Sequence, residues 1–375
     1  MSGAPQVALP RWIDIGLLPI INLVQALIVA GLVVMVIGVN PFDAMRIMAW
    51  GAVYDSVAIS YTLYYATDFV FTGLAVAVAF HAGLFNIGGE GQAYIAGLGC
   101  TIVILALDAY LPGILLIPLA LLAAMAFGAG WALVPAYLQA YRGSHIVITT
   151  IMFNFIAASL MVYIGSDILR PPGDMLPSSR EFLPAAYLPG VHDVARWLGI
   201  QMPSTPLNLS ILWAAVCCVF VWIFIWRTRW GYAIRAVGLS PKAAVYAGIS
   251  PQRVIMIAMC LSGALAAGVA LNQIIGYHHR MLLDFVAGAG FTGIAVALMG
   301  RNHPIGIVLS AILFGALYQG GAELAFEVPT VTRDMIVAMQ GLVILFSGAL
   351  AYMNRPWVAR VYAMFDRRAV LAEAA

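Results

Sequence analysis

The sequence predicts an all-α protein: a polytopic transmembrane helical bundle of about ten spans, with one broken helix and a short helix on its inner face. Three observations carry that prediction. Of 375 residues, 63% are hydrophobic and only 9% charged, and the mean hydropathy is +0.97, more apolar surface than a water-soluble fold hides. Apolar runs of about 20 residues, the length that crosses a hydrocarbon core of about 30 Å, recur from end to end. Short polar, proline-rich and glycine-rich breaks separate them.

Cutting at those breaks gives Leu17–Val39, Ala66–Phe85, Ala93–Leu107, Gly113–Ala140, Ile146–Ile164, Leu209–Trp226, Val254–Ile275, Leu282–Met299, Pro304–Gly321 and Met335–Met353. The first run, from Ile15, exceeds the roughly 7–15-residue core of a secretion signal and lacks a small-residue cleavage site, so it reads as an uncleaved span. Residues 50–65 fit either an outer-surface segment or part of a longer broken helix. The net charge of +2 is too small and too dispersed for nucleic-acid binding. Cys100, Cys217, Cys218 and Cys260 fall inside apolar runs without CxxC spacing and read as small hydrophobes.

Orientation follows from the distribution of basic residues. With both termini cytoplasmic, the inner segments hold Arg11, Arg142, Arg227, Arg229, Arg235, Lys242, Arg253, Arg301, Arg355, Arg360, Arg367 and Arg368, and Arg46, Arg170, Arg180, Arg196, Arg280 and Arg333 lie outside. That asymmetry satisfies the positive-inside rule. The outer loop, residues 165–208, carries seven prolines and an amphipathic piece, Val191–Ile200, whose Val191, Val194, Ala195 and Leu198 share a helical face. It suits a surface helix or a docking site for an external protein.

Phe71-Thr-Gly-Leu-Ala-Val-Ala-Val echoes Phe291-Thr-Gly-Ile-Ala-Val-Ala-Leu. Repeated halves place substrate sites of many transporters at the repeat interface, beside broken helices. Such a break is legible in Gly83-Leu-Phe-Asn-Ile-Gly-Gly-Glu-Gly-Gln92. A carboxylate at mid-bilayer costs about 3 kcal/mol or more, so Glu90 either faces the bundle interior with partners or sits at an inner-surface turn where it meets water or caps a helix.

A second motif lies in residues 231–250. Ser240 is placed as an N-cap, Pro241 at the first helical position, and Gly248 as a left-handed terminator, defining a helix of about two turns. Ser250 and Pro251 repeat the start signal. Ala243, Ala244 and Ala247 give this helix a small-residue face, and Arg235 and Lys242 supply nearby charge. Asn22, Gln25, Asn154, Asn272, Gln273, Gln319 and Gln340 lie in apolar runs, where they bond either a solute or one another. His278 and His279 are adjacent in a predicted loop and point apart, which disfavours a metal site.

Thr72–Val78 with Phe85-Asn-Ile-Gly-Gly-Glu-Gly-Gln92, together with Gly300-Arg-Asn-His-Pro-Ile-Gly306, resembles the signature of ABC importer permeases for nucleosides and simple sugars, the branched-chain amino acid and ribose permease-like group. Alanine is common where Gly89 stands, and arginine where His81 stands. Lys242-Ala-Ala-Val-Tyr-Ala-Gly248 is similar to the coupling motif of ABC importers, with Lys242 in place of glutamate. The resemblance implies one permease domain over 1–375 in a bacterial-type plasma membrane. It implies a cytoplasmic coupling helix at Arg235, Gly238, Ser240, Pro241, Lys242, Ala243, Ala244, Ala247 and Gly248, and a translocation path whose candidates are Phe71, Thr72, Asn86, Glu90, Gln92, Asn154, Phe291 and Thr292. The implied partners are a cytoplasmic ATPase, a second permease subunit, identical or paralogous, an extracytoplasmic solute-binding protein, and membrane lipid.

No phosphate-binding GxxxxGK[ST] loop, HExxH or GxSxG occurs, so the chain is expected to be no enzyme and to carry no cofactor, with ATP and Mg on the ATPase. An ion-gradient-driven transporter of a small polar solute is the competing expectation. It calls for charged relays inside spans, where Asp68 and Glu90 are the available carboxylates.

Overall fold

The structure, a computed structural model, describes residues 38–365 and scattered positions between 10 and 35. Arg11, Asn22, Arg367, Arg368 and most of the first apolar run lie outside the described residues. Helices follow in the order α1 Pro41–Val53, α2 Ser56–His81, α3 Gly89–Leu107, α4 Gly113–Arg142, α5 Ile146–Tyr163, α6 Val191–Trp197, α7 Ser210–Arg227, α8 Arg229–Leu239, α9 Pro241–Tyr246, α10 Pro251–Ala266, α11 Ala289–Met299, α12 Pro304–Glu327 and α13 Arg333–Phe365. A π-helical turn, Ile164–Ile168, extends α5, and a longer π-helical stretch, Leu271–His278, continues the line of α10.

Seven of these are long and apolar enough to cross a membrane: α2, α3, α4, α5 with its π turn, α7, α10 with its extension through His278, and α12. They match seven of the ten predicted runs. The run Leu282–Met299 does not cross as one helix: it is turn until Gly288 and helical only over the eleven residues of α11. At 1.5 Å per residue α11 spans about 16 Å, half a hydrocarbon core. The run Met335–Met353 lies within α13. Residues 50–65 resolve as the end of α1, a break at Tyr54 and Asp55, and the first turns of α2, where the Asp55 side chain accepts the Ala58 N–H at 2.7 Å.

Two compact units arise, residues 52–319 and residues 1–51 with 320–375. In the second, Gly320 packs on the backbone at Met48, and Asn354 donates to the Gln25 side chain at 2.6 Å. In the first, α2 is the central helix, its most apolar window 83% buried, whereas α4, α5 and α7 bury only 28% of theirs and form the rim. α2 packs on α10 and α11, and α4 meets α10 where Gly128 and Gly263 face one another.

In the 165–208 connection, α6 stops at Trp197, short of the predicted Ile200, and Leu198 is 74% exposed rather than sharing the half-buried face of Val191, Val194 and Ala195. A charged clasp ties this connection to α3. Both Arg180 guanidinium nitrogens donate to Asp108 at 2.8 Å, and the Leu183 N–H donates to the same carboxylate at 3.1 Å. The Arg180 bonds hold the Asp108 carboxyl below its ordinary value. A depressed carboxyl pKa stabilises the fold above the unfolded-state value and loses that contribution as pH falls through the folded-state value. Arg180→Met should therefore cost about 1–2 kcal/mol at neutral pH, the lower part of the range because Arg180 is half in water. The gap to wild type should close below about pH 4, as read by thermal unfolding in detergent across that pH range.

Candidate functional site

Between α2 and α3 the backbone leaves the helix for Ala82–Gly88, with Gly83 left-handed at φ +74°. Non-helical backbone inside a membrane bundle persists only where protein groups or water satisfy it. Here two side chains, Asn86 and Asn154, do so, and Gln92 and Ser262 hold Asn86 in place. Asn86 folds the loop by accepting the Gly88 N–H at 2.8 Å, and its amide donates to Ser262 at 2.9 Å and Gln92 at 3.2 Å. Asn154, on α5, accepts the Gly91 N–H and donates to the Ile87 carbonyl, both at 2.9 Å. Ser262, on α10, donates in turn to the Ala75 carbonyl of α2 at 2.7 Å.

Glu90 stands in the first turn of α3 and is buried. Its two carboxylate oxygens accept the N–H groups of Gly288 and Gly290, at 2.9 and 2.8 Å. These are groups at the N-terminus of α11, which has no side-chain cap of its own. Helix N-termini leave unsatisfied donors and carry partial positive charge, so a carboxylate from another helix supplies both the acceptor and the counter-charge. The close approach requires glycine at 290, where a Cβ would collide with the Glu90 backbone. One turn along α3, the Tyr94 hydroxyl donates to Asp284 at 2.6 Å, tying the turn before α11 to the same helix.

The echoed segments pack on each other. Gly293 of α11 lies against Thr72 of α2, and Gly73 lies against Val296. The corresponding threonines each donate to the carbonyl four residues back, Thr72 to Asp68 at 3.0 Å and Thr292 to Gly288 at 3.3 Å, and Thr292 also shares a hydrogen bond with the Tyr318 hydroxyl at 3.1 Å. Phe71 is fully buried against Gly268, whereas Phe291 is 48% exposed.

A second buried polar cluster joins α2 to the π-helical stretch. Asp68 accepts the side-chain amides of Asn272 and Gln273, and Gln273 accepts the Tyr64 hydroxyl. Asn272 also accepts from Asn208 at 2.9 Å and Ser210 at 2.8 Å. A π-helix turns less per residue than an α-helix, which brings neighbouring residues 272 and 273 toward one carboxylate. Asn272 and Gln273 thus bond within the protein.

At the far end of α2, His81 contacts the Asn302 carbonyl through Nε2 at 3.1 Å and packs edge-on against Trp226, which also meets His303. Gly238, in the last turn of α8, sits so close to the break that a Cβ would strike the His81 carbonyl. α9 then forms as its residues dictate: Ser240 accepts the Ala243 N–H at 3.4 Å, Pro241 opens the helix, and Gly248 is left-handed at φ +77°. Gly248 donates to Val245 and Ile249 to Ala244, both at 2.9 Å, the paired bonds of a Schellman terminator. Ser250 departs from expectation, since its hydroxyl donates to Gln252 rather than accepting from the backbone. The small-residue face is also corrected: Ala244 is buried in the chain, while Lys242, Ala243 and Ala247 are exposed beside Tyr246 at 95%.

Tyr94, Asp284, Ser262 and Tyr64 are absent from the sequence-derived site set. A legible signal for the first pair existed in Asp284 followed by Gly288-Ala-Gly290, an acid and two glycines interrupting an apolar run. His279 stacks on Tyr187 at 3.7 Å, and no group of three metal-binding side chains occurs among the described residues.

Residues 58–348 match the family described as branched-chain amino acid transport system / permease component. The chain is 33% identical to the glucose ABC transporter permease protein TsgB13 of Haloferax volcanii, over 97% of this chain and 94% of that protein. It is 33% identical to the guanosine ABC transporter permease protein NupP of Bacillus subtilis, over 90% and 94% respectively. The nucleoside ABC transporter permease protein NupB of Lactococcus lactis is 31% identical over 85% of each chain.

Glutamine at position 90 keeps one acceptor oxygen but turns an NH2 toward a backbone donor, and leucine keeps neither acceptor. Glu90→Gln should cost about 1–3 kcal/mol and Glu90→Leu more, with thermal stability and solute uptake falling in that order. Equal, near-normal uptake by both at matched expression would show that the α3–α11 clamp is dispensable.

Proposed function

The chain belongs to the branched-chain amino acid transport system / permease component family, and we propose that it forms the translocation path of an importer for nucleosides or related sugar-containing solutes. It is a membrane-spanning permease subunit of an ATP-driven importer, and ATP hydrolysis belongs to a separate subunit. The solute class rests on the guanosine, nucleoside and glucose permeases that the chain resembles along most of its length. The observation that carries a transport role is the Glu90 clamp. It joins two interrupted helices in the bundle interior, next to the packed echo segments, where repeat-built transporters place their substrate paths.

In this reading both termini are cytoplasmic, the 165–208 connection faces outward and α8–α9 face inward. Asn86, Glu90, Gln92, Asn154 and Thr292 hold the geometry beside the path, and Phe291 supplies exposed aromatic surface. A solute-binding protein delivers solute outside, a second permease subunit completes the path, and a cytoplasmic ATPase holds ATP and Mg. The ATPase docks on α9 through Lys242, Ala243 and Ala247, with Arg235, Ser240, Pro241 and Gly248 setting charge and shape. Ala244 anchors α9 to its own chain. The Gly238 contact with the α2–α3 break gives movement of α8 a direct route to the clamp. Substituting Gly238 by valine is expected to abolish transport by separating the two.

Reconstituted alone, the chain should move no solute uphill, and adding its ATPase and binding protein should establish ATP-dependent import that survives collapse of ion gradients. Concentrative, gradient-driven uptake by the chain alone would overturn this function. Ala247→Arg adds a charge on the exposed side of α9 and should weaken ATPase co-purification while leaving membrane insertion intact, since an exposed arginine reaches water. Wild-type association and solute-stimulated hydrolysis in that variant would move the coupling surface elsewhere.

A further inference from the structure

Between α7 and α8 the backbone leaves helical geometry at Thr228, whose hydroxyl accepts the Gly231 N–H at 3.1 Å and donates to the Phe224 carbonyl at 2.6 Å. Arg227 and Arg229 flank that corner, and both are exposed. No Asp or Glu stands between Asp193 and Asp284, although Arg227, Arg229, Arg235, Lys242 and Arg253 all fall there, so the stretch itself offers these cations no counter-charge. Among the described residues, neither Arg227 nor Arg229 forms an ion pair.

The surroundings of the two arginines indicate what meets them. Leu212, Val216, Val219, Phe220 and Ile223 of α7 are between 45% and 60% exposed, and at helical spacing they form one apolar face that leads to Arg227. The part of that face from Val216 to Arg227 is about 16 Å long, one leaflet's share of a hydrocarbon core of about 30 Å. Trp222, Trp230 and Tyr232, near its end, are exposed as well, and such aromatic residues occupy the headgroup level of a membrane. The Arg227 guanidinium lies over the Trp222 ring, 5.3 Å from its centre. That cation–π contact holds the charge in place and leaves the donors at the guanidinium edge open.

We propose that the α7–α8 corner binds an anionic phospholipid of the inner leaflet, its headgroup phosphate met by Arg227 and Arg229 and an acyl chain lying along the exposed face of α7. Guanidinium groups match phosphate oxygens with paired N–H donors, and anionic lipids give the inner leaflet the negative surface that basic residues beside a span meet. A water-soluble ATPase fits this corner less well, because the apolar face continuing from Arg227 belongs to a spanning helix. A second copy of this chain would bring the same acid-free stretch and no counter-charge. The bound lipid anchors the start of α8, whose last turn holds Gly238 against the α2–α3 break, so it fixes one end of the segment that links the ATPase surface to the clamp. The proposal rests on the inward orientation of α8 and α9 given above.

The test is native mass spectrometry of the permease–ATPase complex titrated with phosphatidylglycerol or with phosphatidylcholine. Wild type should prefer phosphatidylglycerol, and Arg227→Gln and Arg229→Gln should each weaken its binding about fivefold, the loss expected for one basic residue at an anionic surface. Arg227→Lys, which keeps the charge, should lose less, and Trp222→Leu should cost about twofold. Arg142→Gln, at the end of α4, should leave binding unchanged. In vesicles of phosphatidylcholine, adding phosphatidylglycerol to about one-third of the lipid should raise ATP-dependent uptake by wild type and not by the Arg227→Gln, Arg229→Gln double variant. Equal binding of the two lipids by wild type would overturn the proposal. So would a loss in Arg142→Gln as large as that in Arg227→Gln, the mark of surface charge in general, or displacement of the lipid by millimolar inorganic phosphate, the mark of a free-anion site. Loss of ATPase co-purification by the double variant with lipid binding unchanged would assign the corner to the ATPase instead. Wild-type ATPase co-purification and uptake in phosphatidylcholine alone are read separately, which distinguishes failure of this site from failure of the importer reading.

Discussion

Burying a carboxylate in a membrane bundle is possible here because the carboxylate terminates a helix that has no cap of its own. A charged side chain at the bilayer centre costs about 3 kcal/mol or more. Two charge-assisted hydrogen bonds of about 1.5–3 kcal/mol each, in the positive field of a helix N-terminus, offset that cost. Glu90 therefore depends on α11 beginning where it does, and α11 depends on Glu90 to satisfy its first N–H groups. Both helices can begin in the bundle interior, and the backbone that leads into each can remain non-helical, because the two ends answer one another.

The same logic runs through the rest of the interior. Asn86 and Asn154 satisfy backbone groups left open between α2 and α3, and Gln92 and Ser262 hold the Asn86 side chain in place. The Asp68 cluster joins α2 to the π-helical stretch, distributing one carboxylate over two amides without a cation. In both places polar side chains satisfy irregular backbone inside the bundle, which a helix-only core would not need. α2 carries one cluster near its middle and the break at its end, so it connects the two buried polar clusters.

Local chemistry made part of this legible. Seven of the apolar runs are spanning helices because length and hydropathy suffice to specify one. Ser240, Pro241 and Gly248 define α9 because capping acts within a few residues. The break within Gly83–Gln92 was readable because glycine and amide residues interrupt the apolar run, and the structure places it at Ala82–Gly88, with Gly89–Gln92 already helical. By contrast, Leu282–Met299 reads as a span by its average composition, and only Asp284 with Gly288 and Gly290 marks the stretch 283–288 that the structure shows as turn. Ala244 likewise belongs by size to a docking face, but its burial depends on the neighbours that α9 meets.

The sequence by itself determined the solvent, the helices, the position of one break and the caps of the inner helix, since each follows from interactions between residues close in the chain. Tertiary structure decided what those elements do for one another. The partners of Glu90 are 198 and 200 positions away, and those of Asp68 are 204 and 205 away. A carboxylate in an apolar run announces that it needs a partner, but an N–H at a distant helix start has no side-chain signature by which to be found. Only packing α3 against the start of α11, and α2 against the π-helical stretch, brings the acceptors to those donors.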